Sequence, residues 1–435
     1  MISLYQQRRV DLLNRLPKNS FVILAGYQQK VRSKNIKYHF RQDNDFLYLT
    51  GFSEPDALAL LYIDPDKHHQ FVLFCRPRDA AQEVSFGARA GKEGAVTQFG
   101  ATQAYAVEEF EAQLLYHMNG KQHIYLSDEL GRLSSSMLSL INQQRMNCPF
   151  DTVKQFRTLT PLAQILHPMR VIKSTDEIAL IKAAVAASID GHKAVMKACQ
   201  PGVNEAELAA IFDFAIAKHG CQDVAYPNIV ASGNNACCLH YEENCCETLA
   251  GQMLLIDAGA EYRHYASDIT RTYPVNGQFS APQKALYQVV LTALDNAISR
   301  VKPGAAWNTI YETCMHSLAQ GLLKLGLLAG SLDEVLASES YKRFTVHKTG
   351  HWLGMDVHDV GPYHDDGQWR VLEPNMVFTI EPGIYIPMTA TDVPEQYRGI
   401  GIRIEDDILV TATGCENLSA AVPRTVTDIE AIMAT

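Results

Sequence analysis

The stretch Leu254-Leu255-Ile256-Asp257-Ala258-Gly259, followed by Ala266-Ser267-Asp268-Ile269-Thr270, decides how this chain is read. Two apolar runs flank the polar turn Glu261-Tyr262-Arg263-His264, which is the pattern of a β-hairpin. Each strand carries one aspartate where an apolar residue would otherwise fall. A carboxylate in a half-buried strand is costly unless it is paired or binds a cation. Two carboxylates on facing strands repel, and a metal ion between them turns that repulsion into attraction. The plainer alternative is that Asp257 closes a strand and Asp268 caps a turn. The rest of the chain decides between the two.

Working outward, the runs 344–354, 376–383 and 401–406 also read as strands. His351, Glu381 and Glu405 interrupt them. In the last run Ile402 and Ile404 share one face, so Arg403 and Glu405 share the other. Asp257, Asp268, His351, Glu381 and Glu405 thus make a set of four carboxylates and one imidazole. Such hard, oxygen-rich donors suit Mn²⁺, with Zn²⁺, Co²⁺ or Fe²⁺ as alternatives. Five side chains exceed what one catalytic metal needs while keeping an open position. Four negative charges suit two dications, which at about 3.5–4 Å apart would hold a bridging hydroxide. His240, His347 and His358 lie in or near the same segments. Each alone fits a structural histidine; as non-ligands they also suit proton donation or oxyanion stabilisation.

At 435 residues the chain is long enough for two domains. Residues 1–170 read as an α/β unit. An opening amphipathic helix carries Val10, Leu12, Leu13 and Leu16, strands fall at 21–24, 46–49, 57–62 and 71–74, and a helix spans 107–117. It holds no catalytic constellation: Asp43 and Asp45 read as turn residues and 86–89 as a loop. Residues 162–173 link it to a second domain, 171–435. There Ser174 and Glu177 form a capping box ahead of a long helix. Pro201-Gly202 ends that helix, and a second runs from Glu205 to Lys218. Strands at 228–232 and 239–241 lead to the aspartate hairpin. Gln200-Pro201-Gly202 and Lys302-Pro303-Gly304 each join helix to helix, which hints at two similar halves.

A net charge of −10 with no Lys/Arg-rich run argues against nucleic acid as a partner. No apolar run is long enough to span a bilayer, so no membrane association is expected. Charges fall where a signal peptide has its apolar centre, so the expected location is cytoplasmic. Ten cysteines are too few for a disulfide scaffold of this length. Cys237-Cys238 and Cys245-Cys246 match no common zinc spacing and read as reduced, partly buried thiols.

The second domain closely resembles aminopeptidase P, a metalloaminopeptidase of the "pita-bread" fold shared with prolidase, methionine aminopeptidase and creatinase. The resemblance rests on Ile256-Asp257-Ala258-Gly259, Ser267-Asp268-Ile269-Thr270-Arg271-Thr272, Gly350-His351-Trp352-Leu353-Gly354, Thr379-Ile380-Glu381-Pro382-Gly383 and Gly401-Ile402-Arg403-Ile404-Glu405-Asp406, in that order across 170–435. The first domain resembles the same group through residues 40–52, and Arg398-Gly399-Ile400-Gly401 favours aminopeptidase P within it. The resemblance implies an α/β chain with an N-terminal aminopeptidase P-type domain and a C-terminal pita-bread domain. Asp257 would chelate one metal, Asp268 and Glu405 would bridge both, and His351 and Glu381 would complete the coordination of the second metal. Glu381 would also take a proton as a hydroxide bridging the two metal ions, most simply Mn²⁺, attacks. His240 and His358 would steady the tetrahedral intermediate. His347, Tyr385 and Arg403 would line the substrate pocket, and Phe86 of a neighbouring subunit, where the family often has tryptophan, would close it.

The implied reaction releases the N-terminal residue from peptides with proline second, by a homo-oligomer, dimer or tetramer. One departure is Lys348, where a small residue is expected; it bears on the pocket mouth, where it would bind a peptide carboxylate or, as the favoured expectation, face solvent. Prolidase, which cuts Xaa-Pro dipeptides, is the nearest rival. Methionine aminopeptidase usually lacks a large first domain, and creatinase lacks the metal carboxylates. A pita-bread domain serving only as a peptide-binding module is the alternative of a different class, against which the intact five-ligand set argues.

Overall fold

The computed structural model describes residues 4–127 and 157–435, with 139–140, 142–143 and 146 between them. It divides into two compact units, Met1–Met169 and Arg170–Thr435.

The first unit is built on a six-stranded sheet in the order Gln103–Ala106, His69–Cys75, Leu58–Ile63, Ser20–Ala25, His123–Leu126, Thr158–Pro161. The three middle strands pair antiparallel and the outer ones parallel. Its central strands are buried almost throughout, which is why they read as unbroken apolar runs. Residues 46–49 are not a strand. They lie in the helix Asn44–Thr50, which Asp43 caps by accepting from the Phe46 N–H at 2.7 Å. Nearly all of this short helix is buried, so no polar stripe betrays its period. Asp45 is held by His167 Nε2 at 2.8 Å. Phe86 ends the helix Ala80–Phe86 and is 69% exposed, with the Lys37 ammonium 5.0 Å from its ring.

The second unit consists of two similar halves. The first opens with the helices Thr175–Ala198 and Glu205–Ala217, the second with Ala281–Ile298 and Asn308–Lys324. The Ser174–Glu177 capping box starts the first of these. In the connections, Gly202 N–H donates to the Thr248 carbonyl and Gly304 N–H to that of Leu372, both at 2.8 Å. Both glycines have φ near +90°, at 91° and 83°, a region that side chains with a Cβ avoid.

Each half continues into a bent hairpin. In the first, Met253–Asp257 pairs with Thr270–Pro274, and beyond a break Ala260–Tyr262 pairs with Tyr265–Ala266. The turn is narrower than its sequence suggests: only Arg263 and His264, at φ 49° and 68°, lie outside the strands. In the second, Val377–Ile380 pairs with Asp406–Val410, and Gly383–Ile386 with Ile400–Arg403. The hairpins meet where they bend. Glu405 N–H donates to the Thr270 carbonyl at 3.0 Å, and Arg271 reaches the Glu405 carbonyl at 2.6 Å.

Two expected strands are absent. Leu239 and His240 lie in a turn after the short 3₁₀ helix Gly233–Cys237. Residues 344–354 are irregular, with one bridge from Trp352 to Phe378, yet they track the second hairpin: Thr379 N–H donates to the His351 carbonyl and Glu381 N–H to that of Thr349. The nine described cysteines are unpaired, and Cys238, Cys245 and Cys246 are exposed rather than partly buried. No helix among the described residues is long and apolar enough to cross a membrane.

Candidate metal centre

The bends put the acids together. Asp257 ends its strand, while Asp268, Glu381 and Glu405 sit in the breaks themselves, where the backbone no longer alternates faces. One donor atom each from Asp257, Asp268 and Glu405 lies within 4.8 Å of the others. The same holds for His351, Glu381 and Glu405. Glu405 belongs to both groups, and Asp268 Oδ2 approaches His351 Nε2 at 3.2 Å. Two three-residue cradles therefore meet at Glu405, with Asp268 of the first beside His351 of the second.

Four carboxylates gathered out of water need compensation. Burial pushes Asp257 up, but Arg403, whose Nη2 donates to Asp257 Oδ2 at 2.6 Å, and Tyr226 more than reverse this and leave it below the usual range. Among the described residues no guanidinium touches the other three carboxylates, and the hydroxyls of Tyr226 on Asp268 and Thr270 on Glu405 do not offset their burial. Burial and Asp257 raise Asp268 well above the carboxylate range, and burial and Asp268 do the same to Glu405. Burial and Glu405 push Glu381 up to about 8. His351 adds a second sign. Its Nδ1 lies 3.0 Å from the Trp352 carbonyl, so this nitrogen carries the proton and donates. The Nε2 lone pair then faces Asp268 at 3.2 Å and Glu381 at 3.8 Å, acceptor against acceptor once those acids are ionised. Divalent cations in the two cradles would satisfy all of these groups, so the residues fit a dinuclear site.

The centre opens on a cavity of about 1180 Å³. Nine of the ten residues singled out from the sequence line it: Asp257, Asp268, His351, Glu381, Glu405, His240, His358, His347 and Arg403. Tyr385 does not. It is 4% exposed and stands behind the wall, where its hydroxyl lies 2.7 Å from His347 Nε2 and 3.0 Å from Arg403 Nη1. His347 Nδ1 faces the Lys348 carbonyl at 2.6 Å, which fixes the tautomer: Arg403 donates to Tyr385, and Tyr385 to His347. Burial, with Arg403 nearby, brings His347 down to about 4. His358 packs on His351 with ring centroids 4.2 Å apart, and burial lowers its pKa. The rest of the cavity wall is largely aromatic and aliphatic, with Ile229, Leu239, Trp307, Tyr311, Tyr341 and Trp369. Lys348 is exposed at this wall, its ammonium 5.4 Å from the Tyr311 ring.

Sequence reasoning missed two contributors. The Tyr226 hydroxyl donates to Asp257 Oδ1 at 2.6 Å and also touches Asp268. A tyrosine before Pro227 carries no pattern that would single it out. Asp407, wholly buried, accepts from the Asp268 N–H at 3.1 Å. The signal for it was present in the acidic doublet Asp406-Asp407, inside a strand.

Comparison with known proteins agrees with this architecture. Residues 179–412 match the model of metallopeptidase family M24, and residues 5–125 that of the aminopeptidase P N-terminal domain. The chain is 39% identical to Xaa-Pro aminopeptidase of Escherichia coli, over 99% of this chain and 97% of that one. It is 37% identical to human Xaa-Pro aminopeptidase 3, over 98% and 85%. The aminopeptidase PepP of Pseudomonas aeruginosa superposes with a TM-score of 0.95 at 42% identity, covering 100% of this chain and 99% of that one. Aminopeptidase P of E. coli, solved with the inhibitor Pro-Leu, gives 0.94 at 39% identity over 99% and 98%. The chain belongs to metallopeptidase family M24, as a pita-bread metalloaminopeptidase of the aminopeptidase P type.

Proposed function

We propose that this metalloaminopeptidase releases the N-terminal residue from peptides whose second residue is proline, using two divalent cations. The observation that carries the proposal is the pair of cradles joined through Glu405 at the wall of one large cavity. The proline preference is supported by the relatives named Xaa-Pro aminopeptidase and by the E. coli enzyme solved with Pro-Leu. Asp257 would serve one cation, His351 and Glu381 the other, and Asp268 and Glu405 both. Mn²⁺ is the proposed metal, since the donors are four carboxylates and one imidazole. Bound there, the cations would acidify a water and polarise the scissile carbonyl.

The protein's own side chains do the rest. Glu381 accepts the proton of the attacking water. His240 and His358, both at the cavity wall, donate to the carbonyl oxygen as it gains charge. His347 stays neutral near pH 7 and is held by Tyr385 and Arg403, so its ring shapes the pocket without adding charge. The aromatic and aliphatic wall suits the proline ring. A homo-oligomer in the cytoplasm is the proposed working form, and the unpaired cysteines fit a reducing compartment.

The test is a peptide panel with Mn²⁺-loaded protein. Xaa-Pro-Yaa tripeptides should be cut at the first bond, with the same sequences bearing alanine second cut far more slowly. Cleavage confined to Xaa-Pro dipeptides would assign the chain to the prolidase reading. Equal rates for proline and alanine would refute the proline preference.

A further inference from the structure

We infer that Glu205 is a positioning residue for His240, acting through the loop that carries it. The inference rests on the reading of His240 as a group that faces the substrate. His240 lies in a turn and is exposed, with its ring at the cavity wall. Its ring makes no hydrogen bond among the described residues, so its placement depends on the loop that carries it. That loop is tied at three places to one carboxylate, through backbone N–H groups at Ser232 and Cys246 and through the Tyr241 hydroxyl between them.

Glu205 is 0% exposed and opens the helix Glu205–Ala217. Its Oε1 accepts from Ser232 N–H and Ser232 Oγ, both at 2.7 Å, and from Asn235 Nδ2 at 3.2 Å. Its Oε2 accepts from Tyr241 Oη at 2.8 Å and from Cys246 N–H at 2.9 Å. The Glu205 N–H in turn donates to the Cys246 carbonyl at 2.9 Å. Ser232 ends a strand of the first half, Tyr241 follows His240 directly, and Cys246 leads back out. One buried carboxylate therefore clamps the loop at its entry, beside its functional histidine, and at its exit.

The helix supplies the rigid side of the clamp, and its N-terminus favours a negative charge at its first residue. A carboxylate is the side chain that suits five donors, because both its oxygens only accept. Glutamine there would turn an NH₂ group toward donors. The change in size is negligible, so the loop is loosened without opening a cavity. A group held to within about 0.5 Å is what transition-state contacts require, and a loop alone rarely provides it.

The test compares Glu205→Gln, His240→Ala and the double variant on the peptide the parent cuts fastest, with metal content measured in each. Glu205→Gln should lower kcat about tenfold or more, with KM and bound metal little changed. In the His240→Ala background the same substitution should cost less than twofold, because the group it positions is gone. Equal losses in both backgrounds would overturn the inference, as would a His240→Ala enzyme as active as the parent. If Glu205→Gln does not fold, Tyr241→Phe, which removes a single hydroxyl, takes its place with a smaller loss and the same non-additivity. A second readout needs no turnover. The His240 ring signal in ¹H–¹⁵N spectra, assigned by its absence in His240→Ala, should shift or broaden in Glu205→Gln or Tyr241→Phe. An unmoved signal would overturn the inference whichever peptide the enzyme prefers.

Discussion

At Glu381, burial and the neighbouring Glu405 raise an acid from its ordinary 4.5 to about 8. A proton is then held more tightly in the folded than in the unfolded chain. The stability this contributes is full below about pH 4.5 and is lost as the pH rises through 8. His347 works the other way, with its pKa lowered from 6.5 to about 4, so its contribution is lost as the pH falls across that range. Between pH 6.5 and 8 the His347 effect is complete, and the raised acids, Glu381 together with Asp268 and Glu405, set the slope. Metal-free protein should therefore lose thermal stability across that window, Glu381→Gln should make the decline shallower, and saturating Mn²⁺ should abolish it. Scanning calorimetry at several pH values checks this. For the histidines at the wall, His240→Ala and His358→Ala should each lower kcat by roughly 10²-fold while KM moves much less, as befits groups that act on developing charge. Steady-state kinetics showing the reverse split would make them binding residues. These residues were legible because acids and histidines stand out against apolar strands. Tyr226 and Tyr385 were not, or were misplaced, because a tyrosine is unremarkable either in a wall or behind one.

Among the elements, the two bent hairpins matter most, since a straight hairpin would send alternate side chains to opposite faces. The first bend depends on Gly259, where a Cβ would meet the Ser267 carbonyl oxygen at 1.8 Å. Gly259→Ala should therefore destabilise the protein by roughly 1–3 kcal/mol, as overpacking does, and lower its metal affinity together with its stability. Urea unfolding and a Mn²⁺ titration on one preparation measure both. By contrast, Ser174→Ala should cost about 1 kcal/mol through the lost cap and leave metal binding unchanged. The capping box and long helices were legible because their signals are local. The helix at 44–50 was not, because burial on nearly every side erased its period. The irregular course of 344–354 was hidden for a related reason. Its hydrogen bonds are made to a distant hairpin, and an apolar run alone does not reveal its partner.

Over the whole molecule, the second unit is one plan used twice: helix, Pro-Gly, helix, bent hairpin. The echo between Pro201-Gly202 and Pro303-Gly304 was visible in the chain, but the meeting of the two bends was not, because register between distant strands leaves no local trace. That meeting gathers carboxylates from residues as far apart as 257 and 405 into two cradles. The central claim is that these cradles hold two divalent cations on which turnover depends. Metal-stripped protein titrated with Mn²⁺, with bound metal and Xaa-Pro-Yaa hydrolysis followed together, tests it most directly. The account predicts two equivalents per chain, activity that returns as the cradles fill, and loss of both metal and turnover in Asp268→Ala and Glu405→Ala. Full activity in stripped, chelator-treated protein, or near-normal activity in either variant, would contradict it.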